Sequence, residues 1–407
     1  MGSTQLVVQG LSFISGILIV RRLPVSEYAY YTIATAMLSV MQILSDGGIV
    51  AGVISQGGLV WRDKVELGKV VATGLKLRRR FAALSMLGIP AMLYFLLHHG
   101  ASVTVSLLIM ACLVPTYLAA LSDGLLEVSP KLHQAIAPLQ RNQIEAAFGR
   151  AVLTVITVFT WPTCALAMLA TGISRTWANV RVRKISAAYE DNTQKPDPEI
   201  QRKILKVVWR ILPESIYYCL SGQITVWAIA IFGSTTAVGE LGGLTGLTQA
   251  MALLATLTTT LLVPRFARLP DRRGVLVRRF LMAQAALIIL GILMTGTSAI
   301  FYKPILWVLG KQFGGLRYEL ILAFGSACVT LMNGTTNQLL SARGYVVPPV
   351  IFVSFAVAVQ VGLAMVVPLH ELYGALLYGM LTALCLYVIR VFYFFLQMRT
   401  HQPEAIA

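Results

Sequence analysis

Long apolar runs alternate along the chain with short polar segments. Most of these runs reach or exceed the roughly 17 residues that an α-helix needs to cross a bilayer. Lipid cannot satisfy an open backbone, so such runs fold as helices, and they lack the polar alternation of barrel strands. The pattern predicts an all-α polytopic membrane protein with about twelve spans, at 5–20, 28–45, 81–97, 101–122, 144–161, 163–177, 211–232, 241–263, 280–301, 319–340, 347–368 and 373–396.

Composition agrees with a membrane protein. Of the 407 residues, 57% are apolar and only 12% are charged, and the mean hydropathy is +0.74. A soluble domain carries about twice that charged fraction. The five cysteines all fall within predicted spans, and none has C-x-x-C spacing. We interpret them as packing residues and expect no metal site and no bound cofactor.

Sequence motifs of common enzymes are absent from the chain. It contains no GxxxxGK[ST], G-x-S-x-G or HExxH sequence. The polar segments on the predicted outer side are all short, which leaves little room for an active site. The sequence therefore predicts a protein that is not an enzyme.

The net charge of +16 is explained by membrane topology. With the N-terminus placed in the cytoplasm, 28 of the 33 Lys and Arg residues fall at the cytoplasmic side. This asymmetry follows the positive-inside rule and predicts that both termini are cytoplasmic. Anionic membrane lipids, rather than nucleic acid, are the partners that this charge indicates. The five basic residues on the other side are Arg21, Arg22, Lys303, Lys311 and Arg317.

The polar segment 179–210 divides the predicted spans into two groups of six. Its Pro-Asp-Pro centre disfavours a continuous helix. We predict an N-terminal six-helix bundle at 1–177, a cytoplasmic linker at 178–210 and a C-terminal six-helix bundle at 211–407. The sequences "VSEYAYYTIATAML" and "AVGELGGLTGLTQAM" follow the first and seventh spans at equivalent positions. Their placement favours a pseudo-repeat of the two bundles, a common arrangement in transporters.

The opening stretch "VVQGLSFISGILIVRRLPVSEYAYYTIATAMLSVMQILSDGGIVAGVISQGG" resembles the Wzx-like polysaccharide flippases of the MOP transporter superfamily. In that family the first span ends in an Arg-Leu-x-x-x-Glu-Tyr-type turn, and an acidic or polar residue followed by Gly ends the second. The stretches "TLLVPRFARLPDRR" and "PILWVLGKQFGGL" resemble the family's second half, although Leu241 stands where it often has Tyr. The matching residues of the first half are Arg22, Leu23, Glu27, Tyr28, Asp46 and Gly47.

This resemblance implies two bundles around a V-shaped central cavity and a flippase function. The cargo would be an oligosaccharide linked to undecaprenyl pyrophosphate, moved by alternating access across the bacterial inner membrane. Transport would be coupled to an ion, H⁺ or Na⁺, or to the membrane potential. The product could enter O-antigen lipopolysaccharide, capsule or exopolysaccharide. Polysaccharide polymerase or assembly proteins would be partners, together with membrane lipids.

Such a cargo needs cations for its diphosphate and hydrogen-bonding groups for its sugars, and Arg binds phosphate in a bidentate manner. Arg150 lies inside the predicted fifth span, where a cation is costly and indicates function. Its alternative is snorkelling to the headgroups, with a loose pairing back to Glu145. The predicted cargo contacts, each with membrane anchoring or helix–helix bonding as its alternative, are Arg22, Arg141, Arg150, Arg265, Arg268, Gln223, Gln249, Asn333 and Asn337.

Three residues are predicted to take part in coupling or gating: Asp46, Glu214 and Pro264. Asp46 stands before a Gly-Gly pair that allows a broken helix. It either pairs with an Arg or takes a proton, or else it caps the next helix. Glu214 follows Pro213, which we expect in the first turn of the seventh helix, where its missing N–H costs little.

Other functions remain as alternatives. A drug or cation exporter of the related MATE group has the same architecture, but such pumps usually carry carboxylates within the N-terminal half. The first two spans here offer only Asp46. A membrane glycan polymerase or ligase would be expected to carry a sizeable external loop. A membrane scaffold would not account for the polar positions in the eighth and tenth spans.

Overall fold

The computed structural model describes residues 2–249, 251–270, 272–343, 345 and 347–400. All regular secondary structure in this part of the chain is helical, which confirms the all-α fold class. The chain forms two compact units, Ser3–Ile231 and Phe232–Ala407. The bundle boundaries at 177 and 210 stay a prediction.

The first unit is built from ten helices. In chain order they are α1 (Gly2–Arg22), α2 (Val25–Asp46), α3 (Ile49–Val60), α4 (Lys64–Ser85), α5 (Gly88–His98), α6 (Val103–Leu126), α7 (Val128–Leu132), α8 (Ile136–Thr160), α9 (Cys164–Ser186) and α10 (Pro198–Phe232).

The described part of the second unit contains eight α-helices and two short helices of other types. The α-helices are α11 (Thr235–Thr248), α12 (Met251–Leu257), α13 (Val263–Ala267), α14 (Arg273–Ile300), α15 (Tyr302–Leu309), α16 (Arg317–Ser341), α17 (Pro349–Val366) and α18 (Leu372–Thr400). The others are a π-helix at Thr258–Leu262 and a 3₁₀-helix at Lys311–Phe313.

Nine helices in the described residues are long and apolar enough to cross a membrane. Each corresponds to one of the twelve spans predicted from the sequence. The predicted spans at 163–177, 241–263 and 319–340 are also helical, but their segments are more polar or are interrupted. The second half of α9 contains Arg175, Arg181, Arg183 and Lys184. The 241–263 segment is divided among several short helices.

The Gly-Gly pair after the second span breaks the helix there. Gly47 and Gly48 adopt φ angles of 49° and 89°, in the left-handed region that glycine tolerates. α2 therefore ends at Asp46, and α3 starts at Ile49. A Cβ atom at Gly52 would lie 2.9 Å from Cγ2 of Ile204, so glycine also permits close packing of α3 on α10. The broken helix expected at the glycine pair is confirmed.

Helical structure is interrupted between α9 and α10, and α10 begins at the second proline of the Pro-Asp-Pro sequence. Asp197 caps α10, since its Oδ1 accepts hydrogen bonds from the N–H groups of Glu199 (2.6 Å) and Ile200 (3.3 Å). Pro198 then occupies the first position of the helix. The expectation that a new helix begins near Pro213 is wrong, because α10 continues through it.

The helix passes Pro213 because the residues before it are already held by packing. Ile204 and Val208 are fully buried in the apolar core formed with α3 and α4. An internal proline removes one main-chain hydrogen bond and opposes the preceding turn. Tertiary packing of the N-terminal part of α10 offsets that cost.

The predicted eighth span is interrupted twice. Gln249 lies in a turn directly after α11, and α12 leads into the π-helix that precedes Pro264. Proline cannot donate to the carbonyl four residues earlier, which favours a local change in the hydrogen-bond pattern. Glycine at 243 is required for packing, because a Cβ there would lie 2.6 Å from the Phe313 ring.

We predict that Gly68→Ala destabilises the first unit. A Cβ atom at Gly68 in α4 would overlap the main-chain carbonyl oxygen of Asp191, which cannot rotate away. Overpacking of this kind costs about 1–3 kcal/mol and should lower the melting temperature by several degrees. Gly58→Ala is the matched control, because no atom lies within 4 Å of its added Cβ. Equal melting temperatures for the two variants in detergent would contradict the packing described here.

Candidate functional site

Four charged side chains from four helices meet inside the first unit. They are Asp46 at the end of α2, Arg78 in α4, Asp123 in α6 and Arg175 in α9. Oδ1 of Asp46 is 3.5 Å from Nη2 of Arg78, and Oδ2 of Asp123 is 3.0 Å from Nε of Arg175. Asp123 and Arg175 also lie close enough to Arg78 for their charges to act on it. We refer to these four residues as the charge cluster.

Asp46 has both of the local roles that its position suggested. Besides facing Arg78, its Oδ1 accepts a hydrogen bond of 3.4 Å from the N–H of Val50, in the first turn of α3. The broken helix at the glycine pair therefore presents an acid to a buried cation. Its part in coupling stays a prediction.

Asn179 extends the charge cluster along α9. Its amide nitrogen donates to Asp123 and to Oγ of Ser122 at 2.7 Å. Its Oδ1 accepts from Nε of Arg183 at 3.1 Å. Arg175, Asn179 and Arg183 are spaced by four residues and so share one face of the helix. This spacing is the signal in the sequence by which the polar face of α9 could have been found.

Arg78 is the least solvated member of the cluster, with 7% of its surface exposed. Within the described residues its Nε and Nη1 atoms are buried and have no hydrogen-bond partner. Buried cationic N–H groups normally find acceptors, so these two atoms favour an anion or water at this position. Arg78 was not predicted as a site residue, because it belongs to the basic run at 76–80, whose charges were counted with the others at the cytoplasmic side.

A second cation, Arg150, lies in α8 near Tyr31 of α2. Its Nε atom is buried and has no hydrogen-bond partner among the described residues. The loose pairing with Glu145, which belonged to the alternative of snorkelling, is not formed. Glu145 instead accepts from Nε of Arg141 at 2.8 Å and forms an ion pair with Arg181. Arg150 therefore has no acidic partner in the described part of the chain, whereas Arg141 pairs with Glu145.

The turn that carries the family resemblance connects four helices, α1 and α2 with α8 and α9. The guanidinium of Arg22 stacks 4.2 Å above the ring of Phe159, near the end of α8. Oε2 of Glu27 accepts a 2.7 Å hydrogen bond from the N–H of Cys164 and so caps α9. Leu23 is buried beside them. These contacts give the turn a structural role, and a cargo contact by Arg22 stays a prediction.

Several polar side chains of the second unit form hydrogen bonds to side chains of other helices. Asn333 accepts a hydrogen bond from the guanidinium of Arg390, which also lies 4.5 Å above the ring of Phe352. Gln284 donates to Oγ1 of Thr336 at 2.9 Å. Helix–helix bonding, the alternative considered for the tenth span, is therefore present at Asn333.

The remaining predicted site residues lie on separate elements. Gln249 and Arg268 are exposed in turns after α11 and α13, and Arg265 is exposed within α13. Gln223 in α10 and Asn337 in α16 are half-buried. The side chains of Glu214 and Pro264 lie outside the part of the chain that the structure describes. The roles of these residues stay predictions: Arg265, Arg268, Gln223, Gln249, Asn337, Glu214 and Pro264.

No metal centre is formed in the part of the chain that the structure describes. There, no three His, Cys, Asp or Glu side chains are grouped as ligands. The five cysteines, all of which the structure describes, are free.

Glu190 is a buried carboxylate outside the predicted spans, in the segment between α9 and α10. Oγ of Ser186 donates to its Oε1 at 2.8 Å, and Oγ of Ser129 donates to its Oε2. Burial raises the pKa of Glu190, and the two serine hydrogen bonds offset only part of that rise. Folding therefore favours the protonated carboxyl group.

We predict that Glu190→Gln stabilises the protein increasingly as the pH rises. A raised native pKa means that the stability from Glu190 is fully present below its unfolded pKa of about 4.3. That stability is lost as the pH rises through the native pKa, and glutamine cannot ionise. Melting temperatures in detergent between pH 4.5 and 8 should diverge in favour of the variant. Exposed Glu199→Gln is the control, and parallel curves for Glu190→Gln and the wild type would contradict the assignment.

Comparison with solved structures identifies the fold. A multidrug resistance MATE family transporter of the MOP superfamily, in its inward-facing conformation, superimposes with a TM-score of 0.74. The alignment covers 96% of this chain and 95% of that one, at 14% identity. The lipid II flippase MurJ, in an inward closed conformation, gives a TM-score of 0.73 at 12% identity, over 96% and 86% of the two chains.

A third similar structure is a MOP superfamily transporter from Pyrococcus furiosus. It has 14% identity, a TM-score of 0.62, and coverage of 98% of this chain and 95% of that one. No protein-family model matches the chain, and no curated protein matches it. The chain thus has the fold of the MOP superfamily transporters, over nearly its whole length.

Proposed function

We propose that the protein is a flippase for lipid-linked oligosaccharide, carried on undecaprenyl pyrophosphate, in the bacterial inner membrane. Two independent observations support this proposal. The sequence resembles the Wzx-like flippases, and the fold is shared with a lipid II flippase as well as with multidrug transporters. Translocation would proceed by alternating access without a hydrolytic site. Both termini would be cytoplasmic, and polysaccharide polymerase or assembly proteins would be partners.

The observation that carries the proposal is an excess of buried arginine N–H groups over acceptors in the described part of the first unit. Asp46 and Asp123 each face an arginine, and Glu145 engages two. By contrast, Arg150 and Arg78 keep buried N–H groups without hydrogen-bond partners among the described residues. Such groups suit an anionic cargo such as a diphosphate.

Coupling would act through the charge cluster. Asp46 retains 31% exposure of its side chain, whereas its partner Arg78 retains 8%. A proton or Na⁺ that reached Asp46 from water would weaken its attraction for Arg78. The freed guanidinium could then bind phosphate, which would link ion entry to cargo binding. H⁺, Na⁺ or the membrane potential would serve as the driving force.

A drug or cation exporter is the second candidate. Several of the similar structures are MATE transporters. In the second unit, half-buried Glu240 lies close enough to Glu319 for their charges to interact, and such carboxylates suit a cationic cargo. The exporter proposal requires that this acidic pair, rather than the cations of the first unit, binds the transported molecule.

Lipid extracts from source cells that lack the gene test the proposed cargo. We expect polyprenyl-diphosphate oligosaccharide to accumulate in the cytoplasmic leaflet, where its mass identifies the glycan. Accumulation in the outer leaflet would instead indicate a polymerase or ligase. No accumulation in cells that also lack other flippases, together with greater drug sensitivity, would favour the exporter.

We predict that Arg150→Gln impairs transport and that Arg150→Lys retains part of it. Loss of a charged hydrogen bond costs about 1.5–3 kcal/mol, which corresponds to roughly a tenfold to hundredfold weaker interaction with the diphosphate. Complementation of the deletion strain, normalised to protein abundance, measures the effect. Arg202→Gln, an exposed charge change on α10, is the matched control. Full complementation by Arg150→Gln would remove Arg150 from the cargo site.

A further inference from the structure

The first unit carries an apolar groove formed by exposed side chains of three helices. α1, α8 and α9 enclose a volume of about 770 Å³, lined almost entirely by apolar groups. Phe148, Val152, Ile173 and Trp177 line it while remaining 60%, 41%, 49% and 46% exposed. Exposed side chains of this kind, arranged around a concavity, suit a hydrocarbon chain.

A basic cavity adjoins one end of the groove. It has a volume of about 590 Å³ and lies between α8 and α9, with Arg141, Arg181 and Lys184 in its wall. Glu145 connects the two cavities, because it lines the apolar groove and pairs with both arginines. Three cations against one carboxylate leave a net charge of +2 at this end.

The dimensions match one leaflet of a bilayer. The groove follows α8 from Ile144 to Leu153, which at 1.5 Å per residue is about 14 Å. Half the hydrocarbon core of a bilayer is about 15 Å thick. At the basic end, the guanidinium of Arg181 stacks 4.9 Å from the ring of Trp177. Trp and Arg side chains concentrate at the level of lipid headgroups.

We propose that this groove and basic cavity bind one anionic phospholipid of the leaflet on the basic side of the protein. One acyl chain lies in the groove formed by α1, α8 and α9, and the phosphate contacts Arg141, Arg181 and Lys184. The positive-inside prediction makes this the cytoplasmic leaflet. Arg141, predicted from the sequence as a cargo contact, is thereby assigned to the lipid headgroup. The site does not depend on the identity of the cargo.

A neutral phospholipid fits the groove equally well but does not neutralise the net positive charge of the basic cavity. Polybasic sites gain affinity from each cation near an anionic headgroup, and this gain is screened by salt. The charge complementarity therefore commits the site to an anionic lipid. Binding should weaken as the salt concentration rises.

Quenching of Trp177 fluorescence by brominated lipid tests the proposal on the full-length protein in vesicles. Subtracting the signal of Trp177→Phe isolates this residue from the other five tryptophans. We expect brominated phosphatidylglycerol to quench Trp177 at a several-fold lower mole fraction than brominated phosphatidylcholine. Equal quenching by the two lipids, at low salt, would overturn the proposal.

Two variants separate the headgroup site from the groove. Arg141→Gln combined with Lys184→Gln should abolish the preference for phosphatidylglycerol while leaving residual quenching. Gly149→Leu should fill the groove and reduce quenching by both lipids. An added Cβ at Gly149 has room, since the nearest atom, Oγ of Ser174, is 4.0 Å away. Undiminished, selective quenching in either variant would contradict the assignment.

Matched substitutions elsewhere control for charge and bulk. Arg202→Gln removes an exposed cation from α10, and Gly362→Leu adds a side chain on α17, where no atom lies within 4 Å of the new Cβ. Neither should alter Trp177 quenching. Unlabelled polyprenyl diphosphate is added as a competitor. If it displaces phosphatidylglycerol at an equal or lower mole fraction, the groove is a cargo site and the phospholipid proposal fails.

Discussion

A charge held among apolar helices must find its counter-charge within the protein, and this constraint shapes the first unit. Asp46 with Arg78 and Asp123 with Arg175 satisfy it across α2, α4, α6 and α9. Removing one partner from such a pair is strongly destabilising, because the other charge is left buried. The cluster therefore fixes how these four helices meet. Within it, Nε and Nη1 of Arg78 have no acceptor among the described residues.

Most of the spans and the break after the second one could be predicted from the sequence. Apolar length located the spans, and the Gly-Gly pair located the break after Asp46, because few other residues adopt its φ angles. The prediction that a helix begins near Pro213 was wrong. Local sequence rules favour proline in the first turn of a helix, but packing against residues far away in sequence stabilises the part of α10 before Pro213, and the helix continues through it. The interruption at Gln249 likewise has no strong local signal.

The candidate site was harder to predict, because its residues come from separate spans. Arg150 could be found alone, since a cation inside an apolar run is conspicuous. The lack of an acidic partner for Arg150 could not be predicted, because Glu145 pairs with Arg181 on another helix. Arg78 was hidden in a basic run that looks like an ordinary membrane flank. Only the three-dimensional meeting of α2, α4, α6 and α9 distinguishes it from Arg79 and Arg80 beside it.

We propose that the protein carries an anionic lipid-linked cargo rather than a cationic drug. Purified protein in sealed vesicles tests it most directly. A polyprenyl-diphosphate oligosaccharide is incorporated in both leaflets, and the pool accessible to an external glycosidase is followed with time. We predict that the protected pool becomes accessible only in vesicles that contain the protein, and that a cationic dye is not transported. Dye transport without movement of the lipid-linked glycan would contradict it.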